Sequence, residues 1–199
     1  MNTPPGCRHA HASLLRRLAR QLDRRNATWF LSDGTLLGAV RGGALIPFDY
    51  DADIFVLGAH VERFAAAVRD LKDDPRFEDV ITRRGWDDTA PNPSVQRWGA
   101  VVEWWLYSVD AQGRLGEARA GHGGAPASFK IDGFNFGTNM KASRETAYRD
   151  RKTPFALTRI EMEGLPMPVP TETKRMLGNI YGKHWRTVKP CVKNMRDRV

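Results

Sequence analysis

Ser32-Asp33-Gly34-Thr35-Leu36-Leu37-Gly38, followed by Ile46-Pro47-Phe48-Asp49-Tyr50-Asp51-Ala52-Asp53-Ile54, is the stretch that decides how this 199-residue chain is read. The second half ends in the apolar run Ile54-Phe55-Val56-Leu57, which makes it the head of a buried strand. Side chains on a strand alternate faces, so Asp51 and Asp53 project to the same side. Two neighbouring carboxylates repel unless a cation or a proton sits between them. Asp33-Gly34 is a turn signal, and Thr35 to Arg41 reads as a short helix closed by Gly42-Gly43. The free N–H groups of its first turn are donors for phosphate oxygens. Carboxylates for a divalent cation beside phosphate donors point to chemistry on a nucleotide or another phosphorylated substrate.

Working outward, the flanks give helix and strand in a mixed order. Leu14, Leu15, Leu18 and Leu22 form one apolar stripe over residues 12–25, a helix that leads into the β-rich run Ala27–Leu31. Residues 59–72 return to helical spacing through Val61, Phe64, Ala65 and Val68. Val80–Thr82 and Val95–Trp98 are short strand candidates, and Val101–Tyr107 is the strongest β segment. Residues 111–126, rich in Gly and Ala, read as a mobile loop. Hairpins are expected around Gly133 and Gly164, and a last helix from Thr171 to Tyr181, capped by Gly182. The order predicts an α+β fold, a mixed sheet flanked by helices, rather than a regular βαβ repeat. One domain over 12–190 is expected, with a flexible N-terminal tail over 1–11 and a basic C-terminal tail over 191–199.

Composition narrows the classes. Net charge is +8, with +5 in residues 1–25, +5 in 183–199 and about −2 between them. Such ends attract a nucleotide, an anionic polymer or a membrane surface, or are simply a solvated basic surface. Cys7 and Cys191 give neither a disulfide framework nor a zinc spacing, so free thiols are expected. No run reaches the roughly 18 apolar residues of a membrane span, and the first residues lack the apolar core of a signal peptide. A cytoplasmic location is the resulting expectation.

Glu103 is the third carboxylate of interest, set between two valines and two tryptophans. Burial there requires an arginine, a proton or a metal as partner. If its strand lies beside Asp51–Asp53, three oxygen ligands converge, a set that suits Mg²⁺ or Mn²⁺. The alternative is a solvent-facing residue on an edge strand. An EF-hand starting at Asp49 would need Gly and Glu where Ile54 and His60 stand, so a calcium loop is excluded. Cys7-x-His9-x-His11 has ligand types that can bind a metal, but it lies in a Pro/Gly-rich end and reads rather as a disordered or tag-like tail. A P-loop and a Gly-x-Ser-x-Gly elbow are both absent from the sequence.

Gly34–Arg41 with Ile46–Ile54 closely resembles the LicD family, which includes bacterial phosphocholine transferases and the fukutin and fukutin-related proteins. The Asp-Tyr-Asp-x-Asp form looks most like the fukutin-related branch. Asn179-Ile180-Tyr181-Gly182-Lys183-His184-Trp185, then Val188-Lys189, is similar to the family's C-terminal Tyr-Gly-x-x-Trp element. The resemblance implies a polymerase-β-like nucleotidyltransferase fold. In it, Gly34 and Thr35 take the glycine-turn position, Asp51 and Asp53 the two-carboxylate strand, and Glu103 the third carboxylate, where the family usually has Asp. It further implies a nucleotide-diphosphate-linked donor such as a CDP-alcohol, with its diphosphate at Gly34, Thr35 and Arg41. Mg²⁺ or Mn²⁺ would sit on Asp51, Asp53 and Glu103, and Glu103 or Asp49 would assist attack by a hydroxyl of a glycan acceptor. A nucleoside monophosphate would leave. Two other classes remain open: an Asp-x-Asp glycosyltransferase releasing a nucleoside diphosphate, and a non-catalytic basic module gripping nucleic acid, which the near-neutral middle disfavours. Donor and acceptor selectivity is expected in residues 84–98 and 111–150.

Overall fold

The computed structural model describes residues 5–47, 49, 51–72, 81–85, 91–97, 100–109, 111, 113, 115–117, 128–131, 134–137 and 155–187. Helix α1 runs Pro5–Arg24 and β1 Trp29–Leu31. Helix α2 is Asp33–Gly42, and β2 is Ala52–Leu57. A 3₁₀ turn, Gly58–His60, leads into α3, Val61–Lys72. Then come β3 Ile81–Gly85, β4 Pro91–Arg97, β5 Ala100–Val109 and β6 Leu115–Glu117. Two hairpins follow, β7 Ser128–Ile131 with β8 Phe134–Gly137, and β9 Leu157–Met162 with β10 Leu165–Pro170. Helix α4, Thr173–Tyr181, comes last.

The fold is α+β, as the mixed order of elements predicts. Six strands form one sheet, ordered β1-β2-β5-β4-β3, with β6 paired to β5. Strands β2 and β5 are parallel and the other pairs antiparallel. The parallel pair matters most, because its register sets Asp53 beside Glu103. Helix α3 lies in the long connection that a parallel pair requires.

Strand parity divides the sheet into two faces. On one, Trp29, Leu31, Ile54, Val56, Val102, Trp104 and Leu106 are buried under the leucine stripe of α1 and under Phe64, Ala65 and Val68 of α3. Phe64 packs on Trp104 with ring centroids 4.6 Å apart. The opposite face carries Asp53 and Glu103, then an aromatic cluster. There Phe30 stacks on Phe55 at 5.3 Å and meets Tyr107 edge-on at 5.0 Å. An aromatic cluster thus runs up to the carboxylates and helps hold their strands in register.

Two sequence expectations need correction. The segment read as a tail over 1–11 is helical from Pro5. Proline suits the first helical position, and residues 7–13 contain no breaker, so the helix runs ahead of its leucine stripe and buries His11. The stretch read as a loop over 111–126 contains β6. Leu115 is buried with Phe30, Tyr107 and Met176, and that tertiary burial overrides a Gly-rich local composition. The other expected elements are found with boundaries shifted by a few residues. Cys191, the tail 191–199, Val188-Lys189 and most of 111–150 lie outside the described residues, as do the side chains of Cys7 and His9.

Candidate active site

Asp53 is fixed by its backbone before its side chain does anything. Its N–H donates to Thr35 Oγ1 at 2.8 Å, and its carbonyl accepts from Ser32 N–H at 3.0 Å. The glycine-turn segment therefore clamps the start of β2 from the β1 side, while β5 clamps it from the other. Leu36 N–H closes the first turn of α2 on Ser32 O at 2.8 Å. The N–H groups of Gly34 and Thr35 are in the first turn, where a helix supplies no acceptor.

Asp51, Asp53 and Glu103 each offer a carboxylate oxygen, and these oxygens lie within 4.8 Å of one another. The convergence expected from sequence is thus what the fold produces. Opposite ligands of an octahedral Mg²⁺ stand about 4.2 Å apart, from bond lengths of 2.0–2.1 Å. Three oxygens grouped this closely can turn toward one shared ion. Asp53 is only 7% exposed and Asp51 9%. Burial, then the charges of Asp33, Asp51, Glu103 and Asp49, pushes the Asp53 carboxyl well above the usual carboxylate range. A divalent cation reverses that balance, because it offsets several negative charges at once. Hard carboxylate oxygens at this spacing fit Mg²⁺ or Mn²⁺.

Asp49 also reaches the site. A Cβ placed on Gly34 would stand 2.7 Å from Asp49 Oδ2 and 3.9 Å from Asp53 Oδ2. A methyl group at 34 would displace the Asp49 carboxylate, so glycine leaves room for that side chain against the turn. Gly38 has a different reason: a Cβ there would lie 2.5 Å from Ala44 O and 3.1 Å from Ile46 N. The chain doubles back over Gly38 on its way to the aspartates. The two glycines of the motif thus serve two contacts, one with side chains of the site and one with the backbone of the loop that supplies them.

Asp33 was not among the site residues read from sequence. It is 3% exposed, adopts φ 44°, and is the strongest of the charges acting on Asp53. In the sequence it looked like half of a turn signal. The sequence carries no separate signal for it, since Asp before Gly reads as a turn wherever the carboxylate points; the left-handed backbone seen here is one that Asp tolerates.

Arg41 is not brought to the Gly34-Thr35 end. It sits near the C-terminus of α2, about 12 Å along the axis from Asp33 at 1.5 Å per residue. Its guanidinium donates to the carbonyls of Trp185 and Thr187, the latter at 3.0 Å. Trp185 is 7% exposed and joins the main core, with Arg186 stacked on its ring at 4.8 Å. Arg41 thus ties the first motif to the C-terminal Tyr-Gly-x-x-Trp element.

Residues 26–172 match the LicD/FKTN/FKRP nucleotidyltransferase domain, and the chain belongs to that family. It is similar to "Ribitol 5-phosphate transferase FKRP" of Mus musculus and of Homo sapiens, 40% identical over 60 residues in each case. That match covers 30% of this chain and 12% of each of those proteins. Among solved structures, the chain resembles the lincosamide antibiotic adenylyltransferase LnuA in its lincomycin-bound form. There the TM-score is 0.45 and the identity 12%, with 89% of this chain and 86% of that one covered. A putative nucleotidyltransferase from Thermotoga maritima gives a TM-score of 0.43 at 12% identity, covering 87% of this chain and 84% of that one.

Proposed function

We propose that this domain transfers a phospho-alcohol, such as ribitol phosphate or phosphocholine, from a CDP-linked donor to a hydroxyl of a glycan acceptor, releasing CMP. The observation that carries the reading is the Asp51–Asp53–Glu103 cluster beside the first turn of α2, in a member of the LicD/FKTN/FKRP family. The name of the FKRP relatives, ribitol 5-phosphate transferase, supports the choice of a phospho-alcohol over a sugar.

Asp51, Asp53 and Glu103 would hold Mg²⁺ or Mn²⁺, which supplies charge neutralisation on the donor diphosphate when bound. The N–H groups of Gly34 and Thr35 orient the diphosphate oxygens. Asp49, beside the cluster but outside it, takes the proton of the acceptor hydroxyl. The acceptor oxygen bonds to the phosphorus bearing the alcohol, and the bridging P–O bond to CMP breaks in line. Aromatic packing beneath the site keeps the strands rigid while the charge moves.

The test incubates the chain with Mg²⁺ or Mn²⁺ and a panel of CDP- and UDP-linked donors, scoring the nucleotide released. Monophosphate supports the proposal, and diphosphate indicates a glycosyltransferase. Asp51→Asn and Asp53→Asn are each expected to remove metal-dependent turnover with the far-UV circular dichroism unchanged. Full activity in both variants would overturn the metal assignment. Salt-sensitive nucleic-acid binding without metal would favour the binding-module reading.

A further inference from the structure

We infer that Glu163, at the tip of the β9–β10 hairpin, is a positioning residue for the carboxylate site, acting through the loop that delivers Asp49 and Asp51. This rests on the metal reading above. The hairpin turn has two residues, Glu163 and Gly164, because Met162 pairs directly with Leu165. Both have left-handed backbones, φ 50° and φ 74°. Such a turn selects Asn, Asp or Gly at its first position, since other side chains are strained there. Glutamate is a poor choice for the turn, so its presence there points to work done by the side chain.

That work is visible at the other end of the contact. Glu163 Oε1 accepts the N–H of Leu45 at 2.9 Å, and Glu163 N–H donates to Gly43 O at 2.8 Å. One turn residue therefore grips residues 43 and 45 with backbone and side chain together. Arg16 of α1 reaches the Glu163 carbonyl at 3.5 Å, which ties the tip to the main core. On its opposite side the same loop lies against the bare backbone of Gly38, where a Cβ would meet Ala44 O. The hairpin tip and Gly38 together constrain the path of residues 43–46. That path brings Asp49 against Gly34 and Asp51 toward Asp53 and Glu103. Aspartate or asparagine would suit the turn better but is one methylene too short for the same reach.

The experiment compares the parent chain with Glu163→Gln, Glu163→Asn and Glu163→Ala, using Mn²⁺ alone as the probe. Mn²⁺ affinity is read by electron paramagnetic resonance titration, and amide exchange of the peptide spanning 43–51 by mass spectrometry. Glu163→Gln keeps the acceptor oxygen and is expected to match the parent in both. Glu163→Asn favours the turn and should melt no lower than the parent. It is nevertheless expected to bind Mn²⁺ about tenfold more weakly, the scale of one lost hydrogen bond, with faster exchange over 43–51. Glu163→Ala should behave like Glu163→Asn in affinity. Parent-like Mn²⁺ affinity in the Asn and Ala variants overturns this inference alone. A parent chain that binds no Mn²⁺ overturns the metal reading and this inference with it.

Discussion

The two motif glycines illustrate how differently one residue type can be constrained. At Gly34 the obstacle to a methyl group is the tip of the Asp49 side chain; at Gly38 it is backbone of the 44–46 loop. A side chain can rotate away, whereas a packed backbone cannot without moving its neighbours. Gly34→Ala is therefore expected to fold with little change in melting temperature but to lose most turnover, because Asp49 must leave the site. Gly38→Ala should instead lose about 1–3 kcal/mol of stability, the usual cost of overpacking, along with its activity. Denaturant unfolding of both variants separates the cases, and equal destabilisation would contradict this account. At this scale the sequence was informative where spacing encodes geometry: Asp51, Asp53 and Glu103 were legible from strand parity and an odd charge in an apolar run. Asp33 was not, because a turn signal and an inward-facing carboxylate share the same two letters. Glu163 was hidden for another reason, since only the observed backbone at 163 shows that glutamate is out of place there.

Among the elements, α2 does two jobs from its two ends. Its first turn carries the clamp on Asp53, and its last turn carries Arg41, which holds the chain at Trp185 and Thr187. Sequence reasoning placed both ends at one phosphate site, because a motif reads as a point and a ten-residue helix does not. The link through Arg41 has a direct check. Arg41→Ala is expected to release the 182–187 turn, so that trypsin cuts at Lys183 and Arg186 at least severalfold faster than in the parent. Arg41→Lys should fall between, because a point charge cannot serve two carbonyls with a planar fork. Unchanged cleavage in Arg41→Ala would show that core packing of Trp185 alone secures the turn. The sheet order itself was only partly legible. Strand existence follows from local pattern, but the pairing of β2 with β5 across an intervening helix and hairpin is set by burial of both faces.

For the whole molecule, the carboxylate cluster sets stability against function. The Asp53 carboxyl is raised above its unfolded value of about 3.9, so from that pH upward to its folded value the native state binds more protons than the unfolded state. Stability from this group is present below that window and lost as pH rises through it. Without metal, Asp53→Asn is expected to melt higher than the parent at pH 8, with the gap shrinking toward pH 4. Added Mg²⁺ or Mn²⁺ should raise the parent's melting temperature at pH 8 and leave Asp53→Asn almost unmoved. A metal-free parent as stable at pH 8 as Asp53→Asn would remove the basis for this prediction. The braces on the site come from far along the chain: Glu163 bonds Leu45 across 118 positions and Arg41 bonds Trp185 across 144. Ribosomal synthesis proceeds from the N-terminus, so Asp49, Asp51 and Asp53 emerge long before the residues that hold their loop. A nascent chain thus carries these three carboxylates before the contact from Glu163 to Leu45 can form.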